Sequence, residues 1–181
     1  MTRIALPDRN AVPQASKPIL DAVEKQLGSV PNMFRLAALS PAALSGLTAN
    51  NAALGKALDL KTRERIALAV AEVNGCNYCL SAHSYLAANL AKLDADEIGL
   101  ARLGRSADAK ANVAVGFAAK LVRERGHVTE ADIDTVREVG FSDAQIIEIV
   151  AVAAENVFTN FLNIAAETEI DFPVVESKKA A

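Results

Sequence analysis

Tryptophan is absent, and aromatic residues make up only 4% of the 181-residue chain, so large rings cannot fill its core. Its 51% of hydrophobic residues must come mainly from Ala, Leu, Val and Ile. Small side chains let helices pack closely but give each one little area to bury. We therefore expect part of the apolar surface to be completed by a further copy of the chain, with an Ala-rich monomer as the alternative. A basic excess is also missing: 19 Lys and Arg against 22 Asp and Glu leave a net charge of −3. That balance offers no electrostatic footprint for nucleic acid. No uninterrupted apolar run of ~18 residues is present to span a bilayer. The longest one, Ile146–Ala166, is broken by Glu148, Glu155, Asn156, Asn160 and Asn163. Met1–Pro13 lacks the basic start and apolar core of a secretory signal, so the expected location is the cytoplasm. With only two cysteines in a reducing compartment, closely spaced thiols point to catalysis or metal binding rather than to a structural disulfide.

Strand-like alternation, linkers and low-complexity segments are missing too, and helix punctuation fills almost every stretch. The length suits one all-α domain over 16–173, preceded by an irregular segment 1–15 and followed by a flexible tail 174–181. A helix is expected after Ser16, with Ile19, Leu20, Val23 and Leu27 on one face and Gly28 at its end. Pro31 and Pro41 sit where prolines open helices, predicting Pro31–Leu39 and Pro41–Leu54. Lys61–Asn74 and Cys76–Ala91 form the central pair. Asp94 and Glu97 resemble a capping box, Ala107–Arg125 follows, and Thr129 with Asp132 makes an imperfect box. Ser142 and Gln145 form a full one, opening a helix to about Glu167.

The chemistry gathers between Glu64 and His83. Ile66–Ala71 is too continuously apolar for a surface helix, and Asn74-Gly75 suits a left-handed helix terminus. A new helix beginning near Cys76 places both thiols in its first turn, where free N–H groups and the helix dipole favour thiolate. Cys76 and Cys79 share a face and can close a disulfide. At ~1.5 Å rise per residue, His83 lies about 6 Å along the axis from Cys79 and about 10 Å from Cys76. The imidazole therefore suits Cys79, which we expect to attack while Cys76 resolves.

Glu64, the apolar helix, and then Asn74-Gly75-Cys76-Asn77-Tyr78-Cys79-Leu80-Ser81-Ala82-His83 resemble the alkylhydroperoxidase D core of the carboxymuconolactone decarboxylase-like superfamily. The likeness is tight over residues 60–90 and looser to about 173, where the peroxidase-related branch is most similar. It implies an all-helical fold, cysteine-based reduction of hydroperoxides without metal or cofactor, and a homo-oligomer (trimer, dimer or hexamer). It further implies Cys79 as peroxidatic, Cys76 as resolving, and His83 with Glu64 as a proton relay. The implied partners are a hydroperoxide and an external dithiol or lipoyl-type reductant. Family members carry a histidine where this chain has Tyr78.

Each of these residues has a plainer reading. The thiols could be small buried hydrophobes, or zinc ligands with His83 and, if the fold brought it near, His127. Glu64 could be an ordinary helix-start acid between Arg63 and Arg65. Glu72 also interrupts the apolar helix and competes for the relay. Tyr78 could donate into the site or simply pack. For Asn160 and Asn163, helix-to-helix hydrogen bonding is the expected role. Two rival functions remain at this point: a carboxymuconolactone decarboxylase-like enzyme, and a non-catalytic redox sensor or zinc protein.

Overall fold

The computed structural model describes residues 2–178, and over that range the protein is all-α, with nine α-helices and no strand. These are α1 (Lys17–Leu27), α2 (Asn32–Ala37), α3 (Pro41–Leu54), α4 (Leu60–Asn74), α5 (Asn77–Asn89), α6 (Ala95–Arg102), α7 (Ala109–Arg123), α8 (Glu130–Glu138) and α9 (Asp143–Ala166). A short 3-10 turn, Gln14–Ser16, leads into α1.

Helix α4 is the axis of the molecule. Asp59 caps its start by accepting from the Thr62 N–H, and every residue from Glu64 to Glu72 is buried. A helix apolar on all sides can be stable only if neighbours surround it, and α5, α6, α7 and α9 do so. Its contacts join two apolar clusters. One unites α4, α7, α8 and α9 through Ile66, Val70, Val115, Phe117, Val136 and Ile149. The other unites α4, α5 and α6 through Leu68, Leu80, Ala87 and Ala101, and contains both cysteines. A third cluster, around Leu20, Ala38 and Leu44, seats α1–α3.

Local chemistry sets most helix boundaries. Ser142 and Thr129 each form a reciprocal capping box, the latter complete where the sequence suggested an imperfect one. Asp94 caps α6 through the Glu97 N–H, but Glu97 does not return the bond. Its carboxylate is taken instead by Arg65 at 2.6 Å, by the Ser106 hydroxyl, and by the Ala107 N–H at 3.0 Å. Ser16 precedes α1 without capping it, because its hydroxyl donates to the Ala38 carbonyl and ties α1 to α2. Leu27, expected on the buried face of α1, is exposed.

The C-terminal segment departs from the expected flexible tail. Regular helix ends with α9, yet residues 174–178 run across the face formed by α4, α5 and α6. The Val175 N–H donates to Ser81 Oγ, that of Ser177 to Asn77 Oδ1 and that of Lys178 to Glu72 Oε1, while Arg102 donates to the Glu176 carbonyl. The order comes from polar side chains on α4, α5 and α6 rather than from the segment's own pattern. The rest of the expected tail, 179–181, lies outside the described residues.

By length and composition α9 could cross a membrane. Here it is a core helix, packed on α3, α4, α5 and α7.

Candidate active site

Helix α4 ends in the left-handed turn anticipated from Asn74-Gly75. Gly75 has φ 69°, and the N–H groups of Cys76 and Gly75 bond back to the Ala71 and Glu72 carbonyls at 2.9 and 3.3 Å. That reversal starts α5 two residues later. Cys76 is its N-cap rather than part of the first turn, in extended conformation, with its sulfur accepting from the Cys79 N–H at 3.4 Å. Cys79 occupies the third helical position, among free N–H groups at the positive end of the dipole.

The two thiols have opposite environments. Cys79 lines a cavity of about 630 Å³, together with Glu64 and His83, whereas Cys76 does not reach it. Both are free thiols and almost fully buried. A hydrogen bond from Cys76 holds the Cys79 thiol down to about 6, with further help from the positive charge of His83 and the amides of Asn163 and Asn160, against the cost of burial. The same Cys76–Cys79 bond, with burial and the Cys79 charge, pushes Cys76 strongly up. At neutral pH this arrangement holds one thiolate and one thiol that donates to it.

His83 lies one helical turn beyond Cys79 on α5. Its Nδ1 is 2.9 Å from Glu64 Oε2, with side-chain exposures of 23% and 10%. Burial alone would lower the imidazole, but the charge and hydrogen bond of Glu64, followed by the charges of Cys79 and Glu155, raise it overall. Glu72 is engaged elsewhere, accepting from Arg102 Nε at 2.7 Å and from the Lys178 N–H. The flanking arginines do not occupy Glu64: Arg65 pairs with Glu97, and Arg63 donates to the Leu58 carbonyl. The two acids on α4 thus part company, Glu64 to the histidine and Glu72 to the C-terminal segment.

Tyr78 lines the cavity, but its hydroxyl is already occupied. It donates to Asp171 Oδ1 at 2.8 Å and accepts from the Met33 N–H at 3.0 Å. Asp171 also accepts from the Asn32 N–H, so Tyr78 joins α2, α5 and the C-terminal segment. His127 lies in the loop between α7 and α8 and does not line the cavity. Among the described residues no three His, Cys, Asp or Glu side chains converge as a metal site.

Two features went unrecognised in the sequence. Asn163 of α9 donates from Nδ2 to Cys79 Sγ at 3.3 Å and to the Thr159 carbonyl at 2.9 Å. Both asparagines make the expected helix-to-helix bond: Asn160 accepts from Asn74 Nδ2 of α4 at 2.8 Å, and Asn163 reaches a thiol of α5. The asparagine spacing within an apolar helix was a usable signal, but its target on another helix was not legible. Glu155, also on α9, lines the cavity as well.

The profile of the carboxymuconolactone decarboxylase family matches residues 40–124, which covers α3–α7 and all four expected site residues. No curated protein matches the sequence significantly. Among solved structures, an uncharacterized peroxidase-related protein from Silicibacter sp. TM1040 is 28% identical. It aligns over 93% of this chain and 91% of its own, with a TM-score of 0.80. A peroxidase-related protein from Ralstonia eutropha JMP134, described as an alkylhydroperoxidase AhpD core, is 24% identical over 94% and 92%, with a TM-score of 0.83. The debrominase Bmp8, solved with 2,3,4-tribromopyrrole, shares the fold at 21% identity over 94% of each chain, with a TM-score of 0.78.

Proposed function

We propose that the chain, which matches the carboxymuconolactone decarboxylase family over residues 40–124 and shares the fold of alkylhydroperoxidase D-like proteins, is a thiol-dependent hydroperoxide reductase. One observation carries this reading. Of the two cysteines only Cys79 opens on the cavity, and it is the one whose thiolate is favoured, by Cys76, His83 and Asn163.

The reaction begins from the Cys79 thiolate, its proton held on His83, which Glu64 orients through Nδ1. The thiolate attacks one peroxide oxygen: an S–O bond forms, the O–O bond breaks, and the leaving alkoxide takes the proton from the imidazolium. Cys79 is then a sulfenic acid and the hydroperoxide an alcohol. Cys76 attacks that sulfur, an S–S bond forms, and hydroxide leaves with the Cys76 proton as water. An external dithiol, of lipoyl type or a similar reductant, returns both thiols by exchange and is itself oxidised to a disulfide. This cycle suits a reducing, cytoplasmic setting and uses no metal or cofactor.

The assembly proposed is a homo-oligomer. On α9 the apolar residues Ile147, Val150, Phe158 and Phe161 are exposed at 69%, 41%, 43% and 59%. With Ala154 between them they recur every three or four residues and form one stripe left exposed among the described residues.

The test is consumption of cumene hydroperoxide in the presence of dihydrolipoamide. The unmodified protein should turn over, Cys79→Ser should not, and Cys76→Ser should give one burst and stall. Turnover that survives complete thiol alkylation would instead favour a decarboxylase-type site built from the polar residues of the cavity.

A further inference from the structure

The scheme above leaves one buried carboxyl group of α9 in the cavity wall unused. Glu155 projects from α9 into the wall shared with Cys79, His83 and Glu64, and also borders a more open cavity between α3 and α9. Its Oε1 is sealed from solvent and has no hydrogen-bond partner. The other acids of α4 and α6 differ: Glu64, Glu72 and Glu97 are paired with His83, Arg102 and Arg65. A carboxylate in this position is costly unless a charge nearby compensates it.

The groups facing it are few. From α3 comes Asn51, from α4 Arg63 and Glu64, and from α5 His83 and Cys79. Helix α2 supplies only the uncharged Met33 and Phe34, and α7 and α8 supply nothing to the cavity. Tyr85 and the Tyr78–Asp171 pair complete its titratable lining. Burial raises the Glu155 carboxyl, while the Asn51 hydrogen bond and the charges of His83 and Arg63 oppose the rise. In return, Glu155 raises His83.

We propose that Glu155 is a positioning residue that acts through His83, its carboxylate joining Glu64 in holding the imidazolium that partners the Cys79 thiolate. The division of labour follows from burial. Glu64 is bonded directly to the ring and acts wherever it is ionised. Glu155, once ionised, adds a second negative charge to the same cavity wall and so opposes loss of the imidazole proton. The second carboxylate thereby extends the imidazolium–thiolate pair toward higher pH. This inference rests on reading Cys79 and His83 as the reactive pair.

The chain's two histidines make the test direct. NMR titration of the imidazole signals in a Cys79→Ser background reports His83, with His127 as internal control. Glu155→Gln should lower the His83 midpoint by about half a unit to one unit, the scale of a partly screened charge within one cavity. Glu155→Asp, which keeps the charge, should recover most of that loss, and His127 should not move in either. A His83 midpoint unchanged in Glu155→Gln, or lowered equally in both variants, overturns the inference. If Glu155→Gln does not fold, the parent Cys79→Ser titration decides. The carbon-13 shift of the Glu155 carboxyl should then register the His83 transition, and a carboxyl indifferent to that transition overturns the idea. Hydroperoxide turnover by the unmutated protein is scored separately. Its absence refutes the reductase reading alone, whereas an indifferent His83 refutes this inference with turnover intact.

Discussion

Replacing Glu64 and, separately, Glu72 by glutamine divides the two acids of α4 by function. Glu64 Oε2 lies 2.9 Å from His83 Nδ1 in a mostly buried pair. A hydrogen bond to a charged partner is worth about 1.5–3 kcal/mol. At 1.36 kcal/mol per pKa unit, Glu64→Gln should lower His83 by about one to two units. The sign follows from the direction of the present shift. Glu64 raises His83, so its loss lets the imidazole discharge at lower pH, and Cys79 loses the positive charge that favours its thiolate. Alkylation of Cys79 by iodoacetamide at pH 7, followed by peptide mass spectrometry with Cys76 in place, should slow by about two- to tenfold as a midpoint of about 6 moves up by about one to two units. Glu72→Gln should leave that rate alone, because Glu72 holds Arg102 and the Lys178 N–H instead. It should cost stability, by about 2–4 kcal/mol, since glutamine keeps hydrogen bonding but leaves Arg102 uncompensated. Urea unfolding measures that loss. A Glu64→Gln protein that alkylates at the normal rate, or a Glu72→Gln protein that is the slower of the two, refutes the reasoning.

The remaining expectations are more direct. Alkylation of Cys79 in the unmodified protein should rise with pH through a midpoint of about 6, far below the ordinary thiol value of 9.0, because thiolate accumulates above the depressed pKa. Asn163→Ala removes the amide donor 3.3 Å from the sulfur and should move that midpoint up by about one unit, read by thiolate absorbance. Phe161→Glu places a charge in the uncovered α9 stripe and should reduce the mass seen by analytical ultracentrifugation, while far-UV circular dichroism stays helical.

The fold and the clustering of Glu64, Cys76, Cys79 and His83 were largely visible in the chain because both depend on short-range spacing. Cys76, Cys79 and His83 lie within two turns, and Asn74-Gly75 announces the reversal that orients them. Caps at Ser142 and Thr129 were legible for the same reason, being contacts between residues three apart. What escaped was set by distant partners. Glu97 looked like half of a capping box, but Arg65 and Ser106 claim its carboxylate. Ser16 looked like a cap, but its hydroxyl bonds to Ala38. Residues 174–178 carry no pattern that fixes them, because Asn77, Ser81, Glu72 and Arg102 supply the bonds. Glu155 and Asn163 sat in plain view as interruptions of an apolar run. Neither periodicity nor composition could say that one faces an imidazole and the other a thiol.

The central claim is that Cys79 takes the oxygen and Cys76 expels it. One equivalent of an organic hydroperoxide, followed by intact-mass and peptide mass spectrometry, tests this most directly. The account predicts that the unmodified protein loses two hydrogens as a Cys76–Cys79 disulfide, and that Cys76→Ser gains a single oxygen on Cys79. An oxygen retained on Cys76, or thiols that remain reduced while the peroxide disappears, would contradict it.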